Sequence, residues 1–557
     1  MKFAGFTLAL AGICAGNALG QTPNVNQLSN IYSWTLAGLP NYGTARGSIF
    51  AVFGTNLSST TVPLQGGPLQ TTLSGVTLNV TVNGTTVHPL LYYLSPTQIN
   101  AVLPSSTPVG AGTLTVTNGG GTSAGFPIKV VESAFGLLTF NYGSGPLAGF
   151  NASNNGAYLG LSAAANPGDV LELWGTGLGP VADDATGGPV SDPAVVFIGG
   201  VAVTPQYHGR SSYTGLDQIN VEVPTGVTGC YVSVVVETGN FVSNFGTLPV
   251  AASGRICTDP DNPLTAPVLD RLGQTGSLNL GLISVSQLIN PGITIDGVVY
   301  GAATTNKGLA NFSKITSGQI DAGALPAALD GYSSVGSCFV EFFPTSSDIT
   351  TGDVTLPVPF QFTSLNAGGD VNINGPDGTI AMPLQALNGV DSYSTPAGTA
   401  AFMPASGAFT FSNGTGGPDV GAFTTPQIQV PAPVTWDTIG ISTVTRSNGL
   451  TVNWSGGEAG THVDITGVSL ASLNGTSSYM AGYFTCRAPS AAGTFTVPPT
   501  VLLSLPPSST ITKGGVTIST AVLLLSNFAN LVNFTAPNLD IGLEAVDITD
   551  LVYVTFN

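Results

Sequence analysis

Hydrophobic and polar residues alternate in short runs along most of the chain, and turn-forming residues separate the runs. Residues 47–57 (GSIFAVFGTNL) place apolar side chains at successive positions and end in a glycine-containing turn. Residues 78–84 (LNVTVNG) alternate Leu and Val with Asn and Thr before another turn. A two-residue period between frequent turns is typical of short antiparallel strands. The pattern therefore predicts a chain built mainly from β-strands.

The same order of predicted strands occurs twice in the first half of the chain. Residues 47–57, 78–84 and 98–104 (QINAVLP) match residues 168–178 (GDVLELWGTGL), 194–200 (AVVFIGG) and 218–224 (QINVEVP), and residues 113–117 match 233–237. Each copy has strands whose apolar faces must be buried against a second sheet, as in a β-sandwich. We expect Ile49, Ala51 and Phe53 to face inward in the first copy.

The second half of the chain keeps a strand-like pattern without repeating these segments. Strand-like runs occur at 354–362, 378–384, 408–411, 450–454, 495–505 and 516–525, and 266–272 predicts a short helix. Residues 252–265 are polar and contain prolines, which is typical of a linker, and the prolines at 431 and 433 indicate another boundary.

We therefore predict an all-β fold of tandem immunoglobulin-like β-sandwiches followed by one or two further β-sandwich-like modules. The predicted domains are a signal peptide at 1–20, sandwiches at 21–131 and 132–252, a linker at 253–265, a β-rich module at 266–432 and a C-terminal module at 433–557.

The first twenty residues have the features of an export signal. Lys2 supplies the positive charge, residues 3–14 are apolar, and Ala18-Leu19-Gly20 provides small residues for cleavage before Gln21. We therefore expect a secreted or cell-surface protein.

Two forms of membrane attachment are not favoured by the sequence. Lipid attachment at Cys14 needs a small residue before the cysteine, and Ile13 stands there. The most apolar later stretch, 518–534, contains Ser526 and three asparagines, and its period suits strands better than a transmembrane helix. We expect no transmembrane anchor.

The composition narrows the class of partner. Only 7% of the residues are charged, and the net charge of −18 comes from 29 acidic and 11 basic side chains. Nucleic-acid binding needs clustered Lys and Arg, so we expect no nucleic-acid partner. The 74 glycines and 39 prolines fit short strands and many turns rather than a helical bundle.

Once Cys14 leaves with the signal, an even number of cysteines remains: Cys230, Cys257, Cys338 and Cys486. In an exported chain an even number favours disulfides, and four cysteines allow three pairings. We favour Cys230 with Cys257, because both flank the last strands of one module. Cys338 and Cys486 would then join across a long loop. No spacing is CxxC, so zinc binding is not favoured.

The repeated segments also resemble a known group of proteins. The order FGTNL, VTVNG, YLSPTQINAVLP and GTLTVTNGG, followed by LWGTGLGPV, VFIGG and GLDQINVEVP, resembles a family of uncharacterised secreted acidobacterial proteins with tandem IPT/TIG-like (immunoglobulin-like) repeats. The resemblance covers about residues 30–252. It implies the sandwich fold and an export route, and it supplies no activity and no catalytic residues.

The sequence contains single features of catalytic sites, but each lacks the partner residues or the structural context that catalysis needs. Gly121–Gly125 (GTSAG) has the spacing of a nucleophile elbow, but that motif needs a following helix, and here a hairpin turn is expected. The histidines, His88, His208 and His462, are far apart, and His88 and His208 lie at similar places in the two repeats. No pair among the seven glutamates stands out as a glycosidase pair. We predict no catalytic residues.

Two segments have some features of calcium sites. Asp370, Asn372 and Asn374 match the start of a calcium loop, but Ala381 stands where the loop needs a bidentate Glu. A strand–turn–strand hairpin is the favoured interpretation. Asp259 and Asp261, beside Cys257, form the second candidate. No other cofactor is expected.

Amides and aromatic residues provide candidate contacts for sugars. Gln98, Asn100, Gln218 and Asn220 recur in both repeats, and we expect them to bond to neighbouring backbone rather than to a glycan. Among the aromatic residues Trp174, Trp436, Trp454, Tyr92 and Tyr93, we expect Trp174 in the core because it aligns with Phe53.

The leading functional hypothesis is a non-catalytic structural or adhesive protein of the cell surface or extracellular matrix. The alternative is a polysaccharide-binding accessory protein, and a more distant one is a hydrolase with its site in residues 262–557. The expected partners are extracellular polysaccharide or envelope components.

Overall fold

The computed structural model describes residues 21–257, 263–295, 298–321, 334–345, 362–387, 390–404, 406–437, 441–472, 479–513, 516–519 and 521–557. Strands predominate throughout, and the predicted all-β fold class is confirmed. The predicted signal peptide, the calcium candidates Asp259 and Asp261, and most of the predicted strand at 354–362 lie outside the described residues.

The first module is a two-sheet sandwich. One sheet has the order β1-β3-β8-β7, and the other has the order β2-β11-β9-β5-β4 with β6 and β10 paired at its side. The strands are β1 (Asn24–Asn30), β2 (Thr44–Ala45), β3 (Ile49–Thr55), β4 (Thr72–Leu73), β5 (Val76–Val82), β6 (Thr85–Val87), β7 (Leu90–Leu94), β8 (Gln98–Val102), β9 (Gly110–Asn118), β10 (Gly121–Thr122) and β11 (Phe126–Val131).

The second module repeats this arrangement. Its front sheet has the order β16-β15-β17-β22-β21-β18 with β12 beside β17, and its back sheet has the order β13-β14-β25-β23-β19-β20 with β24 beside β23. The strands are β12 (Gly136–Leu137), β13 (Thr139–Asn141), β14 (Ser144–Leu147), β15 (Phe150–Asn151), β16 (Ala157–Tyr158), β17 (Val170–Thr176), β18 (Gly188–Pro189), β19 (Ala194–Ile198), β20 (Val201–Val203), β21 (Tyr207–Arg210), β22 (Asp217–Glu222), β23 (Gly229–Thr238), β24 (Phe241–Val242) and β25 (Gly246–Val250).

The direction of the side chains on β3 differs from the prediction. Phe50 and Val52, rather than Ile49, Ala51 and Phe53, face the sandwich core with residues of both sheets. Ile49 and Ala51 are buried on the opposite face of the strand, at 4% and 0% exposure. The expectation that Ile49, Ala51 and Phe53 point inward was therefore wrong, because both faces of this strand carry apolar residues.

A buried polar junction joins the first two modules. The backbone N–H and the hydroxyl of Ser105 donate to the two carboxylate oxygens of Asp184, over 2.8 and 2.6 Å. Ile49 N donates to the Thr176 hydroxyl over 2.8 Å, and Asn30 Nδ2 donates to Thr176 O over 3.0 Å. Since each bond crosses from one module to the other with partly or fully buried groups, the relative position of the modules is strongly defined.

Most strands of the remaining described residues form one large sheet, and three small sheets, β27-β28, β37-β39-β42 and β43-β44, are separate from it. The large sheet has the order β30-β41-β40-β45-β47-β26-β29-β34-β33-β32-β35-β36. In the large sheet β31 also pairs with β29, and β38 and β46 pair with β47. The elements are α1 (Ala266–Thr275), β26 (Ser277–Asn290), β27 (Ile293–Ile295), β28 (Val298–Tyr300), β29 (Ala303–Thr316), α2 (Ser317–Asp321), β30 (Cys338–Thr345), β31 (Thr363–Ser364), β32 (Asp370–Gly375), β33 (Gly378–Leu387), β34 (Val390–Ser394), β35 (Ala408–Ser412), β36 (Ile428–Gln429), β37 (Val434–Trp436), β38 (Thr443–Val444), β39 (Leu450–Gly456), β40 (His462–Ser472), β41 (Tyr479–Pro489), β42 (Thr494–Val497), α3 (Pro499–Ser504), β43 (Thr510–Lys513), β44 (Val516–Ser519), β45 (Ala521–Phe528), β46 (Val532–Phe534) and β47 (Ile541–Phe556).

This sheet runs across the predicted boundary at residue 432. β26 pairs in parallel with β47, and β30 pairs with β41, so strands from both sides of position 432 share one sheet. The hydrophobic residues on this sheet nevertheless form distinct cores. One core contains residues such as Phe411 and Ile428, and another contains Trp436 and Trp454. β47 contributes to both cores through Val546 and Val554.

A helix replaces part of a predicted strand. The run at 495–505 forms β42 and then α3, which begins at Pro499. Proline at the first helical position lacks only an N–H that would have no partner in the helix, and its fixed φ suits the first turn. Val501 and Leu502 then enter the core on the helix rather than on a strand.

Both favoured disulfides form. Cys230 bonds to Cys257, and their Cα atoms are 5.5 Å apart. Cys338 bonds to Cys486, its direct cross-strand neighbour between β30 and β41. The first links the end of the second module to the segment after it, and the second closes a loop of 148 residues. Disulfides are typical of chains that fold in an oxidising compartment, which indicates a secreted or cell-surface protein.

Candidate binding surface

The front sheet of the second module carries one row of side chains across five strands. The backbone register places Tyr158, Phe150, Glu172, Asn220 and Tyr207 side by side, from β16 to β21. Directly opposed residues of neighbouring strands project from the same face of a sheet. The alternate residues of β17 and β22, Leu171, Leu173, Ile219 and Val221, fill the sandwich core. The row therefore lies on the outer face, and Tyr158 is 65% exposed.

A second, shorter row lies next to the first. Trp174 on β17 stands opposite Gln218 on β22, which stands opposite Gly209 on β21. Because Gly209 has no side chain, the Tyr207 ring extends over it, and its hydroxyl donates to Arg210 O over 3.2 Å. We call the two rows together, Tyr158, Phe150, Glu172, Asn220, Tyr207, Trp174 and Gln218, the front face of the second module.

The centre of the front face is polar and its two ends are aromatic. Tyr158 and Phe150 form a ring pair at one end, with centroids 4.4 Å apart and planes tilted by 43°. At the centre, Gln218 Nε2 donates to Asn220 Oδ1 over 2.8 Å. Neither the Glu172 carboxylate nor the Asn220 amide nitrogen makes a hydrogen bond to another described side chain. These two groups are available to a ligand.

The amide pair is repeated in the first module. Gln98 Nε2 donates to Asn100 Oδ1, also over 2.8 Å. The expectation that these amides bond to neighbouring backbone is not what the structure shows, since each glutamine bonds to the side chain two residues further along its own strand. Such a residue lies on the same face of the strand, about 7 Å away, within reach of a glutamine side chain.

The corresponding row of the first module is covered. Tyr93 stands opposite Asn100, and Asn100 stands opposite Ala51, as Tyr207, Asn220 and Glu172 do in the second module. Asn100 is 8% exposed and Ala51 is fully buried. The same sheet face is therefore closed in the first module and open in the second.

The tryptophans divide between surface and core. The expectation that Trp174 lies in the core of its module was wrong. Trp174 is half-buried on the outer face, as is Phe53, its counterpart in the first repeat. Trp436 and Trp454 are cross-strand neighbours, each 3% exposed, in the C-terminal core. These two rings are not available for stacking on a sugar.

An aromatic group that the sequence did not single out lies at the junction of the first two modules. Trp34 packs between Phe53 and Tyr142, with centroid distances of 5.6 and 5.5 Å. Tyr142 is 77% exposed at the tip of the hairpin formed by β13 and β14. Residues 30–34 and 139–147 are distant in sequence, so only the docking of the modules brings these rings together.

A cleft of about 790 Å³ lies between the same two modules. Arg46, Ser105 and Ser106 line it from the first module, and Asp183, Asp184 and Ser212 from the second. Its charged groups are already engaged: Arg46 bonds to Glu132 through both carboxylate oxygens, and Asp184 accepts from Ser105. The cleft is therefore part of the module junction.

The proposed calcium loop is an extended strand. Asp370, Asn372 and Asn374 lie on β32, which pairs with β33 across a two-residue turn. Asn374 Oδ1 accepts from the Thr379 hydroxyl over 3.0 Å. Alternate side chains on an extended strand are about 7 Å apart, so these three do not converge on one ion. No cluster of three potential metal ligands occurs within the described residues.

Ser123 of the GTSAG motif has a structural role. Its hydroxyl donates to Ala124 O over 2.9 Å and accepts from Val116 N over 3.0 Å. Ser243, its counterpart in the second repeat, makes the same two bonds, to Asn244 O and from Val236 N. The motif begins on β10, the return strand of the β9–β10 hairpin, and its serine holds this strand beside β9, as Ser243 holds β24 beside β23 in the second module.

Two of the histidines and the buried Glu341 make contacts within the fold. His208 lies opposite Ile219, as Leu94 lies opposite Ile99, so His88 is not its counterpart in the repeat. His462 stacks on Phe528 at 5.1 Å. Glu341 accepts from the Tyr483 hydroxyl over 2.6 Å.

Among the described residues, none of the helices has the length and apolar character of a membrane span.

Comparisons with known proteins give only distant similarities. No protein-family model and no curated protein sequence matches the chain. The plexin A4 extracellular region is 11% identical with a TM-score of 0.17, over 86% of this chain and 30% of that one, so this chain spans less than a third of it. A tetra-tandem repeat from the extending region of a large adhesion protein is 11% identical with a TM-score of 0.14, over 94% and 98% of the two chains. SGBP-B of the Bacteroides ovatus mixed-linkage glucan utilization locus, in complex with a mixed-linkage heptasaccharide, is 10% identical with a TM-score of 0.13, over 83% and 95%. TM-scores this low decide nothing about what this chain binds.

Proposed function

We propose that this chain is a non-catalytic structural or adhesive protein of the cell surface or extracellular matrix. The observation that carries the proposal is the way its modules are joined. The first two modules share buried polar contacts, and the second shares a hydrophobic core with the C-terminal region. A surface protein built from several modules needs such junctions, because flexible junctions would not hold its binding surfaces in fixed positions.

The junction between the second module and the C-terminal region is apolar at its centre. Val235, Val242 and Phe245 of the back sheet belong to the same core as Trp436 and Trp454. The Ser334 hydroxyl also accepts from Tyr231 N over 2.9 Å. Together with the disulfide from Cys230 to Cys257, these contacts resist separation of the two parts.

The alternative of a hydrolase with its site in residues 262–557 gains no support from the described carboxylates. Asp464 forms a bidentate ion pair with Arg487, with distances of 2.8 and 2.7 Å. Glu544 is fully buried in the sheet, and Glu341 is bonded to Tyr483. A glycosidase pair needs two acids facing a common cleft.

The proposal is tested in the producing cell. Antibodies against residues 21–557 should label intact cells or their extracellular matrix, and a deletion strain should lose attachment to surfaces or cohesion between cells. Full recovery of the protein from the cytoplasm, or unchanged attachment and cohesion after deletion, would contradict the proposal.

A further inference from the structure

We propose that the front face of the second module binds a neutral polysaccharide chain. This inference rests on the proposed function and adds to it the chemical class of the partner. The front face is the set of Tyr158, Phe150, Glu172, Asn220, Tyr207, Trp174 and Gln218 defined above, and three observations support its assignment.

The first observation is the order of chemical groups along the row. Five neighbouring strands span about 19 Å, since strands lie about 4.8 Å apart. A pyranose ring has a flat side of C–H groups, which stacks on an aromatic ring, and a rim of hydroxyls, which need donors and acceptors. Tyr158 and Phe150 offer rings at one end and Tyr207 at the other. Asn220 and Glu172 offer polar groups between them.

The second observation is that the Asn220 amide nitrogen and the Glu172 carboxylate, at the centre, make no hydrogen bond to another described side chain. Asn220 receives one bond from Gln218, which fixes its orientation, and its own amide nitrogen is left for a ligand. Glu172 is half-buried, and its carboxylate can accept from sugar hydroxyls. An amide held in place before binding loses little conformational freedom when the ligand arrives.

The third observation is the contrast between the two repeats. In the first module the same row is closed, with Asn100 at 8% exposure and Ala51 at 0%. In the second module the C-terminal region packs on the back sheet, through Phe245 and Val235, so the front face stays open. A surface that carries an exposed ring, Tyr158, beside half-buried rings and that the fold itself does not cover is typical of a binding site.

The charge on the front face selects among polysaccharides. Glu172 is the one charged residue of the two rows, and the chain has a net charge of −18. An anionic polysaccharide would be repelled by this carboxylate, with no Lys or Arg in the rows to compensate. The expected ligand is therefore an uncharged chain whose sugars have flat C–H faces.

The test is retention of residues 21–557 on defined polysaccharides. The probes are cellulose, chitin and mixed-linkage β-glucan as neutral chains, and polygalacturonate as the anionic one. We expect binding to at least one neutral probe, and Tyr158→Ala should weaken it about fivefold, since a stacked ring contributes on the order of 1 kcal/mol.

Two further variants sharpen the test. Tyr213→Ala is the matched control, because Tyr213 is a tyrosine of similar exposure, 63%, that lies outside the front face. It should leave retention unchanged. Asn220→Ala should weaken retention as Tyr158→Ala does. Equal thermal unfolding midpoints for wild type and variants would show that the losses arise from the surface rather than from misfolding.

Several results would overturn the inference. These are failure to bind every neutral probe, preference for polygalacturonate, and equal retention of Tyr158→Ala, Asn220→Ala and wild type. Conversion of a dimer to a monomer by Tyr158→Ala would identify the front face as a contact between two copies and would also overturn it. The cell-surface role is judged separately by antibody labelling and by the deletion strain, so the two proposals can fail independently.

Discussion

Arg210 and Asp217 form an ion pair with no exposed side-chain surface: Arg210 Nε donates to Asp217 Oδ1 over 2.6 Å. The other carboxylate oxygen accepts from the backbone N–H groups of Gly177 and Leu178, over 2.7 and 2.9 Å. Those residues form the turn directly after Thr176, the last residue of β17, whose hydroxyl accepts from Ile49 N of the first module. The ion pair therefore holds the turn on which the module junction depends.

Removal of the negative charge from this pair should destabilise the protein strongly. Asp217→Asn leaves the Arg210 guanidinium buried with only Asp184, 3.4 Å away, as a counter-charge. The expected loss in the free energy of unfolding is about 3–5 kcal/mol, measured by urea denaturation. The control is Glu132→Gln, which breaks the exposed Arg46–Glu132 pair and should cost less than about 1 kcal/mol. Equal losses for the two variants would contradict the structural role of the buried pair.

Asn30 should hold the backbone of residues 31–34 in a fixed conformation. Its Nδ2 donates to Ala134 O and Thr176 O of the second module, and its Oδ1 accepts from Tyr32 N and Ser33 N. Asn30→Ala should lower the free energy of unfolding by about 1–3 kcal/mol and accelerate amide hydrogen exchange at residues 31–34. Asn26→Ala, on the exposed part of the same strand, should do neither. Unchanged exchange in Asn30→Ala would show that the junction does not depend on this side chain.

The stability of the C-terminal sheet should fall as the pH rises. Burial raises the pKa of Glu544 to about 8, a shift that the nearby Thr425 hydroxyl opposes, and burial also raises the pKa of Asp547 to about 7, with the charge of Asp464 acting in the same direction. The folded state therefore keeps these protons at pH values where the unfolded chain has lost them. Stability decreases from about pH 4 upward and levels off above the folded pKa of about 8.

Glu544→Gln should remove much of this dependence. Both oxygens of Glu544 are buried, and they make no hydrogen bond of normal geometry within the described residues. A neutral amide of the same shape needs no proton, so the variant should be more stable than wild type at pH 8.5 and similar at pH 5. Urea midpoints between pH 5 and 9 measure this, with the exposed Glu458→Gln as control. A wild-type urea midpoint that rises with pH would contradict the raised pKa of Glu544.

The two disulfides should differ in their contribution to stability. In the loop-entropy description, the 148-residue loop closed by Cys338–Cys486 contributes about 5 kcal/mol, and the 27-residue loop closed by Cys230–Cys257 about 3.5 kcal/mol. The double variant Cys338→Ser/Cys486→Ser should therefore lose more unfolding free energy than Cys230→Ser/Cys257→Ser. The reverse order, in chemical denaturation under oxidising conditions, would mean that native contacts rather than loop length set the difference.

The sequence predicted the strands better than the direction of their side chains. In β3 every position from Ile49 to Phe53 is apolar, so a two-residue period cannot tell which face is inward. The structure buries both faces: Phe50 and Val52 pack inside the sandwich, and Ile49 packs beside Gly215 of the second module, where an added Cβ would lie 2.6 Å from its Cγ1. Only the second module explains why the outer face is apolar.

The front face of the second module could be predicted only in part. The repeated Gln218 and Asn220 were visible because the same tripeptide occurs in both repeats. Tyr158, Phe150 and Tyr207 join them through the register of five strands, which no local pattern encodes. The disulfide pairings could be predicted from the sequence, because four cysteines allow only three pairings.

β47 is paired in parallel with β26, and the paired residues Leu280 and Ile541 are 261 positions apart in the chain. During synthesis, the hairpin of β26 and β29 emerges long before its third strand, with one edge of a 14-residue strand unpaired in the meantime. Open edges attract other chains, and distant pairings form slowly. The sheet can therefore close only after residues 541–550 have emerged, so successful folding depends on protecting that edge until the end of the chain is available.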